Sequence, residues 1–150
     1  MWLHQNKVIN SLEDFGIYTP IGFIYITTHT PTGKKYLGKK SLFSTTNKKL
    51  GKKEILALPT TRGRTPSTKQ VIKESDWKSY YGSEDFIKKE IKLKNHSDFT
   101  REIIQLVNSK KQLTYYEMKY QFQYGVIEPI TGDEWLNSNI LGKFFTKDFE

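Results

Sequence analysis

The chain has no cysteine, and its three histidines, His4, His29 and His96, stand far apart in sequence. Thiolate zinc sites, cysteine nucleophiles and disulfides are thereby excluded, and the imidazoles lack the close spacing of a histidine metal site. A metal ion would have to be held mainly by oxygen. The groups left for chemistry are carboxylates, phenols and amines, and the amines are unevenly placed. From Lys34 to Lys73 there are twelve basic residues (Lys34, Lys35, Lys39, Lys40, Lys48, Lys49, Lys52, Lys53, Arg62, Arg64, Lys69, Lys73) against one acid, Glu54. That segment carries +11, and with +8 over the whole chain the remainder sums to −3. A concentrated positive segment on a near-neutral body is the electrostatic footprint of a polyanion binder, because each phosphate contact releases condensed counterions. A solvated, merely solubilising loop is the plainer alternative. The turn-prone run from Pro59 to Pro66, which includes Arg62, Gly63 and Arg64, favours a flexible arm on nucleic acid.

The elements that must position such groups can be read coarsely. A length of 150 residues with 36% hydrophobic and 14% aromatic content suits one folded domain over residues 1–150. Met1 to Gly16 lacks the continuous apolar run of a signal peptide, and no stretch approaches a membrane span, so a soluble, cytoplasmic protein is expected. Gly22 to Thr28 is dense in β-branched and aromatic residues and predicts a strand; Thr30-Pro31-Thr32-Gly33 predicts a turn, and Lys35 to Gly38 the returning strand. Residues 41–73 read as a long basic insertion, with at most one short helix around Ile55 to Leu58. Phe86, Ile87 and Ile91 fall on one side of an amphipathic helix over Ser83 to Lys94. Phe99 to Val107 suits a buried strand, although its length does not exclude helix. Ser109, with Gln112 three residues on, predicts the start of a helix running to about Tyr124. Trp135, Leu136, Ile140, Leu141, Phe144 and Phe145 would pack a C-terminal segment back on the core.

The hairpin residues Phe23-Ile24-Tyr25 and Tyr36-Leu37-Gly38 resemble the paired signature of the GIY-YIG nucleases, with Phe23 where the first motif has Gly. The later order is also similar to that family: Trp77-Lys78-Ser79-Tyr80-Tyr81-Gly82-Ser83, a strand-like run, Tyr115-Tyr116-Glu117 on a helix, then Asn137 and Asn139. The resemblance covers roughly residues 20 to 145 and extends to small phage-encoded, homing-endonuclease-like members. It implies an α/β (α+β) fold with a central three-stranded antiparallel sheet flanked by helices, the basic insertion following the first hairpin. One departure matters. Family members place a catalytic Arg just before the aromatic position of the first helix, where this chain has Asp76 before Trp77. Lys39 and Lys40 after the hairpin, or Arg62 and Arg64 from the insertion, could supply the charge; Lys40, which strand alternation puts on the side of Tyr36 and Gly38, with one of the arginines, is the expected replacement.

The activity so implied is DNA endonuclease chemistry on double-stranded DNA. Phosphodiester hydrolysis needs an activated water, neutralised phosphoryl oxygens and a stabilised leaving oxygen. A lone carboxylate suits a hard ion such as Mg²⁺ (or Mn²⁺), which keeps its waters and takes one or two protein oxygens, so Glu117 is the expected metal ligand. Tyr36 is the implied general base, and Tyr25 and Tyr80 position water or phosphate. Asn137 or Asn139 orients Glu117 or ties down the last segment. Lys39, Lys48, Lys49, Lys52, Lys53, Lys69, Lys73 and Lys78 are the expected phosphate contacts. Plainer readings stand beside these: Thr114-x-x-Glu117 as a capping box, Tyr25 and Tyr80 as packing, Trp77 as structural, and Gly38 as a close backbone approach. Specificity would come from the insertion or from a homodimer, or would scarcely exist. A catalytically inert nucleic-acid-binding module and a basic inhibitor docking on an acidic protein are the competing functions.

Overall fold

The computed structural model describes residues 1–58, 63, 66–129 and 134–149. The chain begins with a hairpin, β1 (Trp2–His4) and β2 (Lys7–Ile9), joined by Gln5 and Asn6 at φ 49° and 66°. Two positive φ values are what a type I′ turn needs. Neither strand is legible in the sequence, since each has three residues and Gln-Asn lacks the usual Asn-Gly signature. Next come β3 (Gly22–His29) and β4 (Lys34–Ser41), antiparallel, with Tyr25 opposite Gly38 and Thr27 opposite Tyr36. The turn between them closes through Gly33 N–H to His29 C=O at 2.7 Å, with Gly33 at φ 73°, where a side chain would be strained.

The insertion is more ordered than its composition suggests. β5 (Phe43–Lys49) and β6 (Thr68–Glu74) form a separate antiparallel ribbon, and α1 (Lys52–Leu56) is the short helix expected there. Arg62 and Arg64 lie outside the described residues. After the ribbon, a turn of 3₁₀ helix at Trp77–Ser79 leads to α2 (Asp85–Lys92), shorter than the sequence pattern but burying Ile87 as its spacing requires. The Glu84 carboxylate accepts from the Phe86 and Ile87 amides, satisfying the first turn. Strand β7 (Phe99–Val107) is the buried run, and α3 (Lys110–Tyr124) begins at Ser109, whose hydroxyl accepts from Gln112 N–H, and ends at Gly125 in the left-handed region. Two short strands, β8 (Asn139–Ile140) and β9 (Phe144–Phe145), follow.

The main sheet has five strands in the order β2-β1-β7-β3-β4, and β1 runs parallel to β7. The expected three-stranded antiparallel sheet is therefore only its β7-β3-β4 part. The N-terminal hairpin adds two strands because Trp2 and Ile9 have apolar surface to bury beside Phe23, Tyr25 and Trp77. That cluster fills one face. On the other, Ile24, Leu37, Val107 and Leu113 pack with Val126, Ile127, Trp135 and Ile140 under α3. Leu141 and Phe144, expected to join the core, remain 47% and 44% exposed. Arg101, an unmarked residue in sequence, is buried beneath Trp2 and Tyr81 and donates to the Lys78 and Tyr80 carbonyls, fixing the Trp77–Tyr81 segment on the sheet.

Strand β4 would be an open edge, but the C-terminal segment covers part of it. Lys35 N–H donates to Glu134 C=O at 2.8 Å and Leu136 N–H to Lys35 C=O at 2.6 Å. Asn137 then acts as a side-chain strand: its Oδ1 accepts from Leu37 N–H at 3.0 Å and its Nδ2 donates to Leu37 C=O at 2.9 Å. All three groups are buried. Asn137→Ala strands both backbone partners and is expected to cost about 2 kcal/mol or more, lowering Tm by roughly 4–8 °C. Thermal denaturation checks this; a Tm within a degree of wild type would mean the segment docks without its amide.

Candidate active site

The covered end of β4 borders an open cleft of about 430 Å³ lined by Tyr36, Ser83, Glu84, Asp85, Glu117, Gln121, Asn137, Ser138, Asn139, Leu141 and Gly142. Tyr36 and Glu117, distant in sequence, both open onto it. They arrive from opposite faces of the sheet: Tyr36 packs against the Tyr25 and Trp77 cluster, and Glu117 projects from α3, which lies on the Leu37 side. The cleft sits where those two faces meet, at the sheet's edge. Ser109 is the N-cap of α3, so Thr114 and Glu117 are mid-helix and the capping-box reading of that pair does not hold.

The Tyr36 hydroxyl lies 2.7 Å from Ser83 Oγ. Burial pushes its phenol above the ordinary range, opposed by the Ser83 hydrogen bond and reinforced by the nearby Tyr80, Glu117 and Glu84. Two glycines shape its bed. A Cβ on Gly38 would lie 2.6 Å from Tyr25 Oη and 2.9 Å from Tyr36 Cε1, and one on Gly82, at φ 147°, would lie 3.2 Å from Tyr36 Cδ1. Gly38 is thus the close approach the hairpin motif suggested, made by two rings crossing the strand.

Glu117 has only 15% of its side chain exposed, and burial holds its carboxyl above the usual carboxylate range despite Lys39. Lys39 Nζ stands 3.8 Å from Glu117 Oε1 and donates to Thr114 Oγ1 at 3.2 Å. Sequence reasoning offered Lys39 as a candidate cation but favoured Lys40 and left Lys39 with the phosphate contacts. The signal was available, because alternation along β4 that puts Lys40 beside Tyr36 puts Lys39 on the α3 face.

Tyr25 does not reach the cleft. It is fully buried beneath Gly38, its hydroxyl has no hydrogen-bond partner among the described residues, and burial drives its phenol well above the ordinary range. Tyr80 packs edge-on to Tyr25 and lies under Lys40 Nζ, 4.1 Å from the ring centroid. Lys40 is paired with Asp76, the residue standing at the expected arginine position, and holds that carboxylate below its usual range through a hydrogen bond. Trp77 is buried and structural, donating to Glu74. Asn139 lines the cleft and accepts from Gly142 N–H. Lys78 is held near Glu74, at 3.5 Å. Lys48, Lys49, Lys52, Lys53, Lys69 and Lys73 are exposed on the ribbon and α1, away from the cleft lining.

The segment from Trp2 to Ile140 matches a family model described as "Putative endonuclease segE, GIY-YIG domain", over residues 2–140. The chain belongs to the GIY-YIG nuclease family. No curated protein and no solved structure matches it. Family membership makes this GIY-YIG domain a nuclease domain whose substrate is nucleic acid. No described helix is long and apolar enough to cross a membrane.

Among the described residues the GIY-YIG domain's cleft is acidic, lined by Glu84, Asp85 and Glu117 and by no lysine or arginine. Among the described residues, the three side chains near enough to share one ion are His29, Glu90 and Asp98, whose ligand atoms lie within 4.8 Å of one another; none lines the cleft. They show that scattered histidines in sequence need not be remote from carboxylates in space. Within the cleft, carboxylates among polar oxygens, Glu117 foremost, fit a hard divalent ion that keeps most of its waters and would not suit a zinc cage. Residues that sequence reasoning missed here are Ser83, Glu84, Asp85 and Gln121. Gln121 follows Glu117 by one helical turn and so shares its face, and its Oε1 is buried without a hydrogen-bond partner among the described residues.

Proposed function

We propose that this GIY-YIG domain is a divalent-metal-dependent endonuclease on double-stranded DNA, with Tyr36 as general base and Glu117 as metal ligand. The observation that carries the proposal is the convergence of Tyr36 and Glu117 on one open cleft from opposite faces of the sheet. Water attacks phosphorus as a new P–O bond forms and one ester P–O bond breaks. Tyr36, having lost its own proton to solvent, takes the proton from the attacking water as a phenolate, and the departing oxygen is protonated from solvent. Ser83 orients the phenol through its 2.7 Å contact. Burial works against ionising Tyr36, and an acidic cleft works against admitting phosphate. Glu117 would hold a divalent ion such as Mg²⁺ or Mn²⁺, and the positive charge so bound would offset both effects. Asp85 and Glu84 line the same cleft and add to the negative charge that would favour such an ion there.

The catalytic cation expected at Lys40 is better placed at Lys39, whose ammonium already faces Glu117 and would swing toward a phosphoryl oxygen once the carboxylate is engaged. Lys40 is committed to Asp76 and Tyr80. Tyr25 and Tyr80 serve by supporting the Tyr36 ring. The inert-binder alternative draws on the absence of Lys and Arg from the described cleft lining. Supercoiled plasmid separates the two readings: nicking or linearisation is expected with Mg²⁺ and loss of at least about a hundredfold in rate with chelator. Tight binding with no cleavage in any divalent ion would establish the alternative.

A further inference from the structure

We infer that the β5–β6 ribbon enters the major groove of the DNA substrate and reads base edges through Thr45, Asn47, Gln70 and Ile72. The inference rests on the DNA-endonuclease reading and adds the origin of its sequence preference. Alternation and register sort the ribbon into two faces. Thr45 lies opposite Ile72 and Asn47 opposite Gln70 on one, with Phe43 opposite Glu74 at its base and Lys49 opposite Thr68 at its tip; Ser44 and Lys73, Thr46 and Val71, and Lys48 and Lys69 share the other. From Thr45 outward every β5 residue is exposed, and in β6 only Val71 is half-covered. Ile72 is 67% exposed, an apolar side chain with nothing to bury it. The amides of Asn47 and Gln70 have no hydrogen-bond partner among the described residues.

The charge on the reverse face calls for a polyanion. Lys48 and Lys69 stand directly across the strand pair, an arrangement that costs stability in the free protein. Glu54, the lone acid of the basic segment, offsets this only through an exposed contact to Lys69 at 2.9 Å. Phosphates on the groove walls would remove the repulsion, and lysine stems are long enough to reach them around the ribbon's edges. A two-stranded ribbon fits the major groove, about 12 Å wide, and is too broad for the minor groove at about 6 Å.

The bare face has the chemistry to read A·T pairs. Side-chain amides bond adenine N6 and N7, and the methyl groups of Thr45 and Ile72 suit the thymine C5-methyl. β4 runs through buried Leu42 into β5, so Tyr36 and Asn47 are separated by eleven residues. Fully extended, that chain spans at most roughly 40 Å. The bases read must therefore lie within about one helical turn of the scissile bond.

Digestion of a random-sequence duplex pool, with sequencing of the cut ends, tests this. Wild type should select an A·T-containing motif within about one turn of the cut. Asn47→Ala with Gln70→Ala should reduce discrimination at those positions about 5- to 150-fold, with the salt dependence of binding unchanged because neither side chain is charged. Lys48→Ala, Lys69→Ala and Lys73→Ala together should weaken binding to all sequences and lower the salt slope by about one per lysine, with the motif retained. Replacing adenine by 7-deazaadenine, which lacks N7, should weaken wild-type selection without any mutation. A motif unchanged by the amide substitutions, insensitivity to 7-deazaadenine, or random cutting by wild type would each overturn the inference. Failure of wild type to cut or bind any duplex would instead sink the nuclease reading.

Discussion

Glu117→Gln is expected to slow plasmid cleavage about a thousandfold and, at neutral pH, to raise the Tm of the metal-free protein. The first effect follows from losing an anionic oxygen ligand: metal-assisted charge stabilisation contributes several kcal/mol, and about 4 kcal/mol is a thousandfold in rate. The second follows from burial. In the folded state burial lifts the Glu117 carboxyl more than Lys39 lowers it, so its folded pKa lies above the unfolded value. A group shifted upward contributes stability that is fully present below the unfolded pKa, about 4.3, and is lost as pH rises through the folded pKa. At pH 7 the wild type bears the whole cost of an ionised, half-buried carboxylate, and glutamine does not. The Tm difference should vanish near pH 4, open as pH rises, and narrow when Mg²⁺ is added, because only the carboxylate gains from the ion. Thermal melts across that range, with and without Mg²⁺, measure it. A glutamine variant less stable than wild type at pH 7 would show that the Lys39 contact outweighs burial. Full activity in that variant would remove Glu117 from the metal site.

For Tyr36→Phe the expected loss is about 10²- to 10⁴-fold in cleavage rate, the range associated with a positioned general base. The fold should survive, because phenylalanine keeps the ring packed beside Gly38 and Gly82 and gives up a single hydrogen bond, to an exposed serine. That bond contributes about 1 kcal/mol, so normal melting with lost cleavage separates chemistry from structure. The pH profile is a sharper test. With burial as the main cause, the phenol is held above its ordinary range near 10. Wild-type rate should accordingly climb with pH through neutrality without reaching a plateau, and the alkaline limb should move to lower pH with increasing divalent ion. The phenylalanine variant should lose the limb altogether. A variant that cleaves more slowly yet keeps the wild-type profile would leave Tyr36 as a positioning group and place the base elsewhere. Ser83→Ala, which removes the one contact pulling the phenol downward, should shift the limb to higher pH.

The elements legible in the sequence were those whose signal is local. β3, the Gly33 turn, β4 and β7 announce themselves by β-branched runs and turn chemistry, and α3 by Ser109 and Gly125 at its ends. The family signature in Tyr25, Tyr36 and Gly38 is local too, since all three belong to one hairpin. The N-terminal hairpin was illegible because three-residue strands have too little pattern. The ribbon was hidden because its outer residues are polar on both faces, and alternation shows only where one face is buried.

Sequence alone thus determined the chemical types available: a cysteine-free chain, a basic segment, two motif tyrosines and a helix-borne glutamate. Tertiary structure decided which of them meet. Both motif tyrosines project from the same face of the hairpin, yet Tyr25 is sealed under Gly38 while Tyr36 opens on the cleft, because Tyr36 stands nearer the end of the sheet that α2 and the C-terminal segment frame. Lys39 and Lys40 are neighbours in sequence with opposite fates, one facing Glu117 and the other tied to Asp76, because a strand sends successive side chains to opposite faces. Asn137 reads in sequence either as orienting Glu117 or as tying down the last segment, and the open edge of β4 decides for the second, since two buried backbone groups of Leu37 had to be paired. Residue type is written in the chain; the choice among competing partners is made by burial, edge and face, which exist only once the sheet has formed.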